Sequence, residues 1–243
     1  KNIAKNINSA FIDLGGGQMA YYSLTENKSH LFADALNRQP GDCQEKYEHQ
    51  SLRPGHEIVV QVSKDAVKTK DPVVTNCISF TGRYCVLTAG RRHIGFSSKI
   101  TDEHWKAQVR QALLEEKDKD FGIIVRTNAA FVTVEELLKE LRQLKQQYCR
   151  LLSEAAYRTC YTLLYEAPPS YIGSLRDTYK DFMEEIVTDD AVIFHKIQEY
   201  LKACQPQDLD KVRFYEDSLL PLKKLYSIDK AVEEALQKRV WLK

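Results

Sequence analysis

The stretch SAFIDLGGGQMAYYSL, residues 9–24, determines how the fold begins. Two β-rich runs, 9–14 and 18–24, flank three glycines at 15–17, and glycine's access to positive φ is typical of a hairpin turn. A polar insertion over 25–53 separates this hairpin from the apolar run HEIVVQV at 56–62, and residues 72–75 can form a closing strand. The pattern predicts a small, strongly curved β-barrel.

A second unit, mixed in α and β, is predicted from residue 77 onwards. The runs CISF at 77–80 and YCVLT at 84–88 flank a tight turn, and FGIIVRT at 121–127 has the length of a strand. A helix is expected from Thr101 to about residue 114. Thr133 and Glu136 form a capping box ahead of a leucine-rich pattern, which predicts a helix of about thirty residues.

The dipeptide Pro168-Pro169 is predicted to be a domain boundary, because two prolines remove backbone donors and disfavour helix just upstream. Beyond it, the periodicity predicts helices at 172–187, 190–204 and 228–238 and a short strand at 212–215. The fold class expected from the whole pattern is a multidomain α+β protein.

Composition and motifs exclude several classes. Of 243 residues, 43% are hydrophobic and 28% charged, which is globular rather than disordered usage. No apolar run reaches the roughly 18 to 20 residues of a membrane span, and no signal peptide is recognised, so we expect a cytoplasmic protein. Phosphate-loop, zinc-protease, nucleophile-elbow and dinucleotide motifs do not occur in the sequence.

Charge is distributed unevenly, although the total is only +1. Residues 60–100 carry seven basic and two acidic side chains, whereas residues 176–218 carry six basic and eleven acidic ones. A local net charge of +5 can follow a phosphate backbone. The alternative is a solvated loop without a ligand.

Three residues of the β-rich part are candidates for binding a single-stranded nucleic acid. Phe11 and Tyr21 lie on the two hairpin strands, where their rings can stack on unpaired bases, and Lys70 adds positive charge. The alternative is that both rings belong to the core.

Arg126 and Thr127, at the end of the FGIIV run, are the other candidates. A planar guanidinium beside a hydroxyl suits a terminal phosphate, although a surface ion pair is the alternative. Gly82 and Val86 lie on the neighbouring hairpin, where backbone groups can approach the same nucleotide closely. His93 has no evident partner and is expected to be structural or exposed, and no residue is assigned a catalytic role.

Taken in order and spacing, several segments resemble the bacterial ribonuclease E/G family. They are NSAFIDLGGG at 8–17, Gly55 with IVVQV, TKDP at 69–72, ISFTGRYCVLT at 78–88, IGFSSKI at 94–100, GIIVRTNA at 122–129 and ALQKRVWLK at 235–243. The resemblance is most specific up to about residue 130 and covers most of the chain.

The resemblance implies three domains. Residues 1–75 would be an OB-fold RNA-binding domain lacking its first strand, with Phe11 and Tyr21 as the stacking aromatics and Lys70 as the RNA-contact lysine. Residues 76–165 would be a sensor of the RNA 5' end, in which Arg126 and Thr127 hold the 5'-monophosphate and the backbone near Gly82 and Val86 meets the terminal nucleotide. Residues 166–243 would be part of an RNase H-like α/β subdomain.

The resemblance also implies a single-strand-specific endoribonuclease of RNA processing and decay, whose Mg²⁺ is held by aspartates of a DNase I-like domain beginning after Lys243. This chain would then hold no cofactor and be inactive alone. Its partner would be single-stranded RNA, preferably 5'-monophosphorylated, and the full-length protein could form a homo-oligomer. The alternatives are a non-catalytic RNA-binding module of a translation or ribosome-assembly factor, and a scaffold with a vestigial pocket.

Overall fold

A computed structural model describes residues 2–33, 36, 47–48, 51–116, 121–178 and 183–239. The chain divides into two compact units, Lys1–Ala167 and Pro168–Lys243, called here the first and second units. Within the described residues, no helix is both long and apolar enough to cross a membrane.

The first unit begins with a five-stranded sheet in the order β1-β2-β3-β7-β6. All its neighbours are antiparallel except β3 and β7, which run parallel. A separate two-stranded pair, β4 with β5, lies within the polar insertion and was not predicted. The strands are β1 Asn2–Ala4, β2 Ser9–Asp13, β3 Met19–Ser23, β4 His30–Leu31, β5 Tyr47–Glu48, β6 Gln61–Lys64 and β7 Val73–Thr75.

The predicted glycine hairpin is confirmed. Residues 15–17 all have positive φ, between +60° and +92°, and the Leu14 N–H donates to the Gln18 carbonyl at 2.9 Å across the turn. Alternation along the strands buries Ala10, Ala20 and Tyr22 on one face of the sheet. In the described part of the chain this sheet is open, so closure into the expected OB-fold barrel is not confirmed.

A four-stranded sheet in the order β10-β11-β9-β8, called here the second sheet, follows in the same unit, with β10 and β11 parallel. Two helices accompany it, and their buried leucines form its core together with Phe80, Leu87, Phe121 and Ile123. These elements are β8 Ser79–Thr81, β9 Cys85–Ala89, β10 Ile94–Phe96, α1 Glu103–Glu116, β11 Phe121–Val125 and α2 Val134–Ala155.

The capping box at the start of α2 is confirmed, because the Thr133 side chain accepts from the Glu136 N–H and the Glu136 carboxylate accepts from the Thr133 N–H. The expected length was wrong, since α2 ends at Ala155 and the chain then runs irregularly to Pro169. In this segment the Tyr165 ring meets the Phe80 ring edge to face, with the ring centroids 5.2 Å apart. The segment therefore contacts the core of the second sheet.

The second unit is also mixed α/β. Among its described residues, two strands pair in parallel. The predicted helix over 172–187 was wrong in its second half, because the observed helix ends at Asp177 and a strand occupies 186–188. Ile186 and Thr188 are buried, an alternation typical of a strand. The elements are α3 Ser170–Asp177, β12 Ile186–Thr188, α4 Ala191–Cys204, β13 Val212–Phe214, α5 Leu222–Leu225 and α6 Ile228–Ala235. The expected RNase H-like topology is not confirmed.

Candidate functional site

Phe11 and Tyr21 lie directly opposite each other on β2 and β3, on the face of the sheet turned away from buried Tyr22. Their rings meet edge to face with centroids 6.3 Å apart, and both side chains are half-buried. The Ser9 and Tyr21 hydroxyls are hydrogen-bonded to each other at 2.6 Å, which fixes the direction of the Tyr21 ring. Each aromatic side chain therefore keeps part of its surface open to solvent.

Lys70 lies in a tight turn that precedes β7. The turn is closed by two backbone hydrogen bonds between Val67 and Lys70, at 3.0 and 3.2 Å, and the lysine is exposed. Two residues later, the Pro72 carbonyl accepts the Tyr21 N–H at 2.8 Å. The chain thus brings the lysine turn to the strand that carries one of the two rings.

Arg126 follows the last residue of β11 and is held twice by the turn between β8 and β9. Its backbone N–H donates to the Tyr84 carbonyl at 2.8 Å, and its guanidinium Nη1 donates to the Gly82 carbonyl at 2.8 Å. A guanidinium fixed at one nitrogen is oriented before any anion arrives, which lowers the entropy cost of binding.

Thr127 is beside this arginine and opens a short 3-10 turn. Its hydroxyl is hydrogen-bonded to the Ser97 hydroxyl at 2.9 Å, and the Ser97 N–H donates to the Val125 carbonyl at 2.8 Å. Sequence reasoning missed Ser97, because its place depends on β10, an element that was not predicted. Two hydroxyls and one guanidinium therefore lie at the same end of the second sheet.

Glu140 of α2 supports this arrangement and was also missed. Its carboxylate accepts the backbone N–H groups of Arg83, Tyr84 and Cys85 at 2.7, 2.8 and 2.9 Å. A Cβ at Gly82 would lie 2.5 Å from the Glu140 carboxylate. The absent side chain at this position makes room for Glu140, and no local pattern in the sequence indicates that contact.

Cys85 lies below the turn and is fully buried. Burial, followed by the nearby Glu140 carboxylate, raises the pKa of its thiol well above the usual range, although Arg126 opposes this shift. The thiol is therefore protonated at neutral pH and is a poor nucleophile.

The outer face of the second sheet, the face that carries Val86, adjoins Arg126. Val86 and Ile124 are register partners on β9 and β11, and Ile124 pairs with Gly95 on β10. Val86 is half-buried and Ile124 is 40% exposed. The candidate residues thus form two groups within the first unit: Phe11, Tyr21 and the Lys70 turn on one sheet, and Arg126, Thr127, Gly82 and Val86 on the other.

These observations define a mixed α/β protein in which one sheet carries two half-buried aromatic rings near an exposed lysine turn, and the end of another sheet carries an oriented guanidinium and two hydroxyls. The profile of the Ribonuclease E/G family matches residues 79–243. The chain belongs to the Ribonuclease E/G family.

Curated relatives match beyond the range of the family profile. Ribonuclease G of Haemophilus influenzae is 27% identical over 99% of this chain and 49% of its own length, and Ribonuclease E of the same organism is 26% identical over 99% of this chain and 25% of its own. A chloroplastic Ribonuclease E/G-like protein of Arabidopsis thaliana is 30% identical over 78% of this chain and 20% of its own length. The chain therefore spans at most about half the length of these relatives.

Proposed function

We propose that the chain is the RNA-binding and 5'-monophosphate-sensing portion of a Mg²⁺-dependent, single-strand-specific endoribonuclease that acts in RNA processing and decay. Family membership and the ribonuclease names of the relatives support the enzyme class. Because the chain spans only part of those relatives, the cleavage itself is proposed for the whole protein.

One observation carries the sensing role: at one end of the second sheet the Arg126 guanidinium is held by the Gly82 carbonyl, and the hydroxyl of the following residue, Thr127, is bonded to that of Ser97. A guanidinium can present two parallel donors to phosphate oxygens, and hydroxyls add further donors. A terminal monophosphate has more charge and more free oxygens than an internal phosphodiester, and a 5'-hydroxyl end has no terminal phosphate at all. We therefore expect this end of the sheet to bind RNA with a 5'-monophosphate more tightly than RNA with a 5'-hydroxyl.

The RNA-binding role rests on the rings of Phe11 and Tyr21 and on exposed Lys70. Base stacking on aromatic side chains contributes about 1 to 3 kcal/mol per base and tolerates any sequence. We propose that residues 1–75 are an OB-fold domain, residues 76–165 the 5' sensor and residues 166–243 part of an RNase H-like subdomain. A cytoplasmic location and a homo-oligomeric full-length protein belong to the same proposal.

We assign no metal site to this chain. Among the described residues, no three His, Cys, Asp or Glu side chains are grouped so that they could hold an ion. We propose, on the resemblance to the family alone, that Mg²⁺ is bound by another part of the whole protein, and no step of the cleavage is derived from the described residues.

The test measures binding of the 243-residue chain to one ten-nucleotide single-stranded RNA carrying a 5'-monophosphate or a 5'-hydroxyl, at one fixed salt concentration. We expect the wild type to prefer the monophosphate, and Arg126→Ala to remove about tenfold or more of that preference, because a charge-assisted contact is lost. Arg150→Ala is the matched control, since Arg150 is an exposed arginine of α2 paired with Glu154.

Equal affinity of the wild type for the two RNAs would contradict sensing by this chain. An unchanged preference in Arg126→Ala would contradict the assignment of this residue. Binding to the 5'-hydroxyl RNA should be weakened by Phe11→Ala and Tyr21→Ala, and Arg126→Ala should leave it nearly unaltered.

A further inference from the structure

Ile124 is an exposed aliphatic residue next to the proposed phosphate site. It lies two residues before Arg126 on extended backbone, so both side chains point to the outer face of the second sheet. Their Cα atoms are about 6.6 Å apart at the usual rise of a strand. One unstacked nucleotide spans such a distance.

The segment 91–93 lies over the same face. A Cβ built on Gly95 would lie 3.8 Å from the His93 imidazole and 4.0 Å from Ile124 Cγ1, so these two side chains converge above the glycine. His93 is exposed. The result is a patch with one aromatic and one aliphatic side chain, both open to solvent.

Arg91 continues this surface away from Arg126. A Cβ built on Gly122 would lie 3.2 Å from Arg91 Cβ, which places the arginine beside the start of β11, while Arg126 follows its end. Arg91 and Arg92 are both exposed, in a region whose net charge is +5. Two groups of positive charge thus flank the patch, an arrangement complementary to a short polyanion.

We propose that His93 and Ile124 form the subsite for the second nucleotide of a 5'-monophosphorylated RNA, with Arg91 next to the phosphate that follows. This inference rests on the proposed function, because it takes the 5'-phosphate to lie at Arg126. The base stacks on the imidazole and against the Ile124 side chain, which favours any base because both contacts are non-specific. His93, which the sequence left without a role, becomes a specificity residue for single-stranded 5' ends.

The experiment pairs a protein change with a change in the RNA. The ligands are ten-nucleotide 5'-monophosphorylated RNAs that are intact or abasic at nucleotide 2 or at nucleotide 7, and the proteins are wild type, His93→Ala and His104→Ala. His104 is an exposed histidine of α1 and serves as the matched control. Affinities are measured by fluorescence anisotropy at fixed salt.

For the wild type we expect removal of base 2 to weaken binding about tenfold, the size of one lost stacking contact. In His93→Ala, removal of base 2 should cause less than a twofold further loss, while His104→Ala should behave as the wild type. Removal of base 7 should affect the three proteins equally. Ile124→Ser is a second variant that should reduce the effect of base 2 in the same way.

The subsite would be overturned if removal of base 2 still weakened binding tenfold in both His93→Ala and Ile124→Ser. It would also be overturned if these substitutions reduced the effect of removing base 7 in place of that of base 2. Arg126→Ala separates this failure from that of the proposed function. If Arg126→Ala keeps the preference for the monophosphate, the proposed function fails. If Arg126→Ala removes that preference, but removal of base 2 weakens binding of His93→Ala as much as that of the wild type, only the subsite fails.

Discussion

Replacing Gly82 by alanine tests the support of Arg126 directly. The new Cβ would lie 2.5 Å from Glu140 Cδ, so the carboxylate must leave its position against the turn. Gly82 is not among the residues with positive φ, and the change therefore acts through this contact and not through backbone strain. The displaced carboxylate loses bonds to the N–H groups of Arg83, Tyr84 and Cys85.

Hydrogen bonds to a charged group contribute about 1.5 to 3 kcal/mol each. Loss of two of the three bonds costs about 3 to 6 kcal/mol. The lower entropy of an unfolded chain containing alanine offsets about 0.4 to 1 kcal/mol of this, which leaves about 4 kcal/mol. For a unit of 167 residues this lowers the melting temperature by about 8 to 16 °C. Differential scanning calorimetry and urea unfolding of the chain measure the effect.

The same substitution made in a Glu140→Ala background should cost less than about 0.5 kcal/mol, because the clashing carboxylate is absent. Gly95→Ala is the matched control in the same sheet, since its Cβ would meet no atom closer than 3.8 Å. A Gly82→Ala protein as stable as the wild type would refute the reasoning. So would an undiminished cost in the Glu140→Ala background.

Two further substitutions test contacts within the first unit. Gln61→Ala should lower the free energy of unfolding by about 1 to 2 kcal/mol. The reason is that the Gln61 amide donates to the Ser79 carbonyl at 3.0 Å and accepts the Ser79 N–H at 2.8 Å, which satisfies backbone groups of the edge strand β8. Urea unfolding measures the change, and an unchanged midpoint would contradict the prediction. Tyr22→Phe should cost about 1 kcal/mol at neutral pH, because the Tyr22 hydroxyl is hydrogen-bonded to His30 Nδ1 at 2.7 Å. Burial raises the pKa of the Tyr22 phenol, so the wild type should lose stability relative to Tyr22→Phe as the pH rises past the ordinary phenol value of 10.0, and a pH-independent difference between the two proteins would count against this contact.

Local patterns predicted the elements whose signals are local. The glycine hairpin, the Thr133 capping box and the helix that starts after Asp190 were all confirmed, because turn conformation and helix capping involve residues only a few positions apart. The structure shows the Asp190 side chain accepting the N–H groups of Val192 and Ile193.

Elements that depend on distant partners were missed or wrong. The strand β12 was predicted as helix, because its partner β13 lies more than twenty residues later and its own sequence carries only a short alternation. The length of α2 was overestimated, since the contact of Tyr165 with Phe80 cannot be read from helical periodicity. Strand β10 went unrecognised for the same reason, and with it the place of Ser97.

Gly82 shows most clearly how a candidate residue can be found for an incomplete reason. The sequence suggested that its small size lets a nucleotide approach, yet its N–H donates to the Cys85 carbonyl, its carbonyl accepts from Arg126, and the space beside its Cα holds the Glu140 carboxylate. The Gly82 carbonyl thus acts on Arg126 within the protein. It follows that Gly82→Ala should reduce the preference for the 5'-monophosphate through a misplaced guanidinium, while leaving the affinity for 5'-hydroxyl RNA unchanged. A steric block to the nucleotide itself would weaken both RNAs alike, so measuring the two affinities in this one variant separates support of the arginine from contact with the RNA.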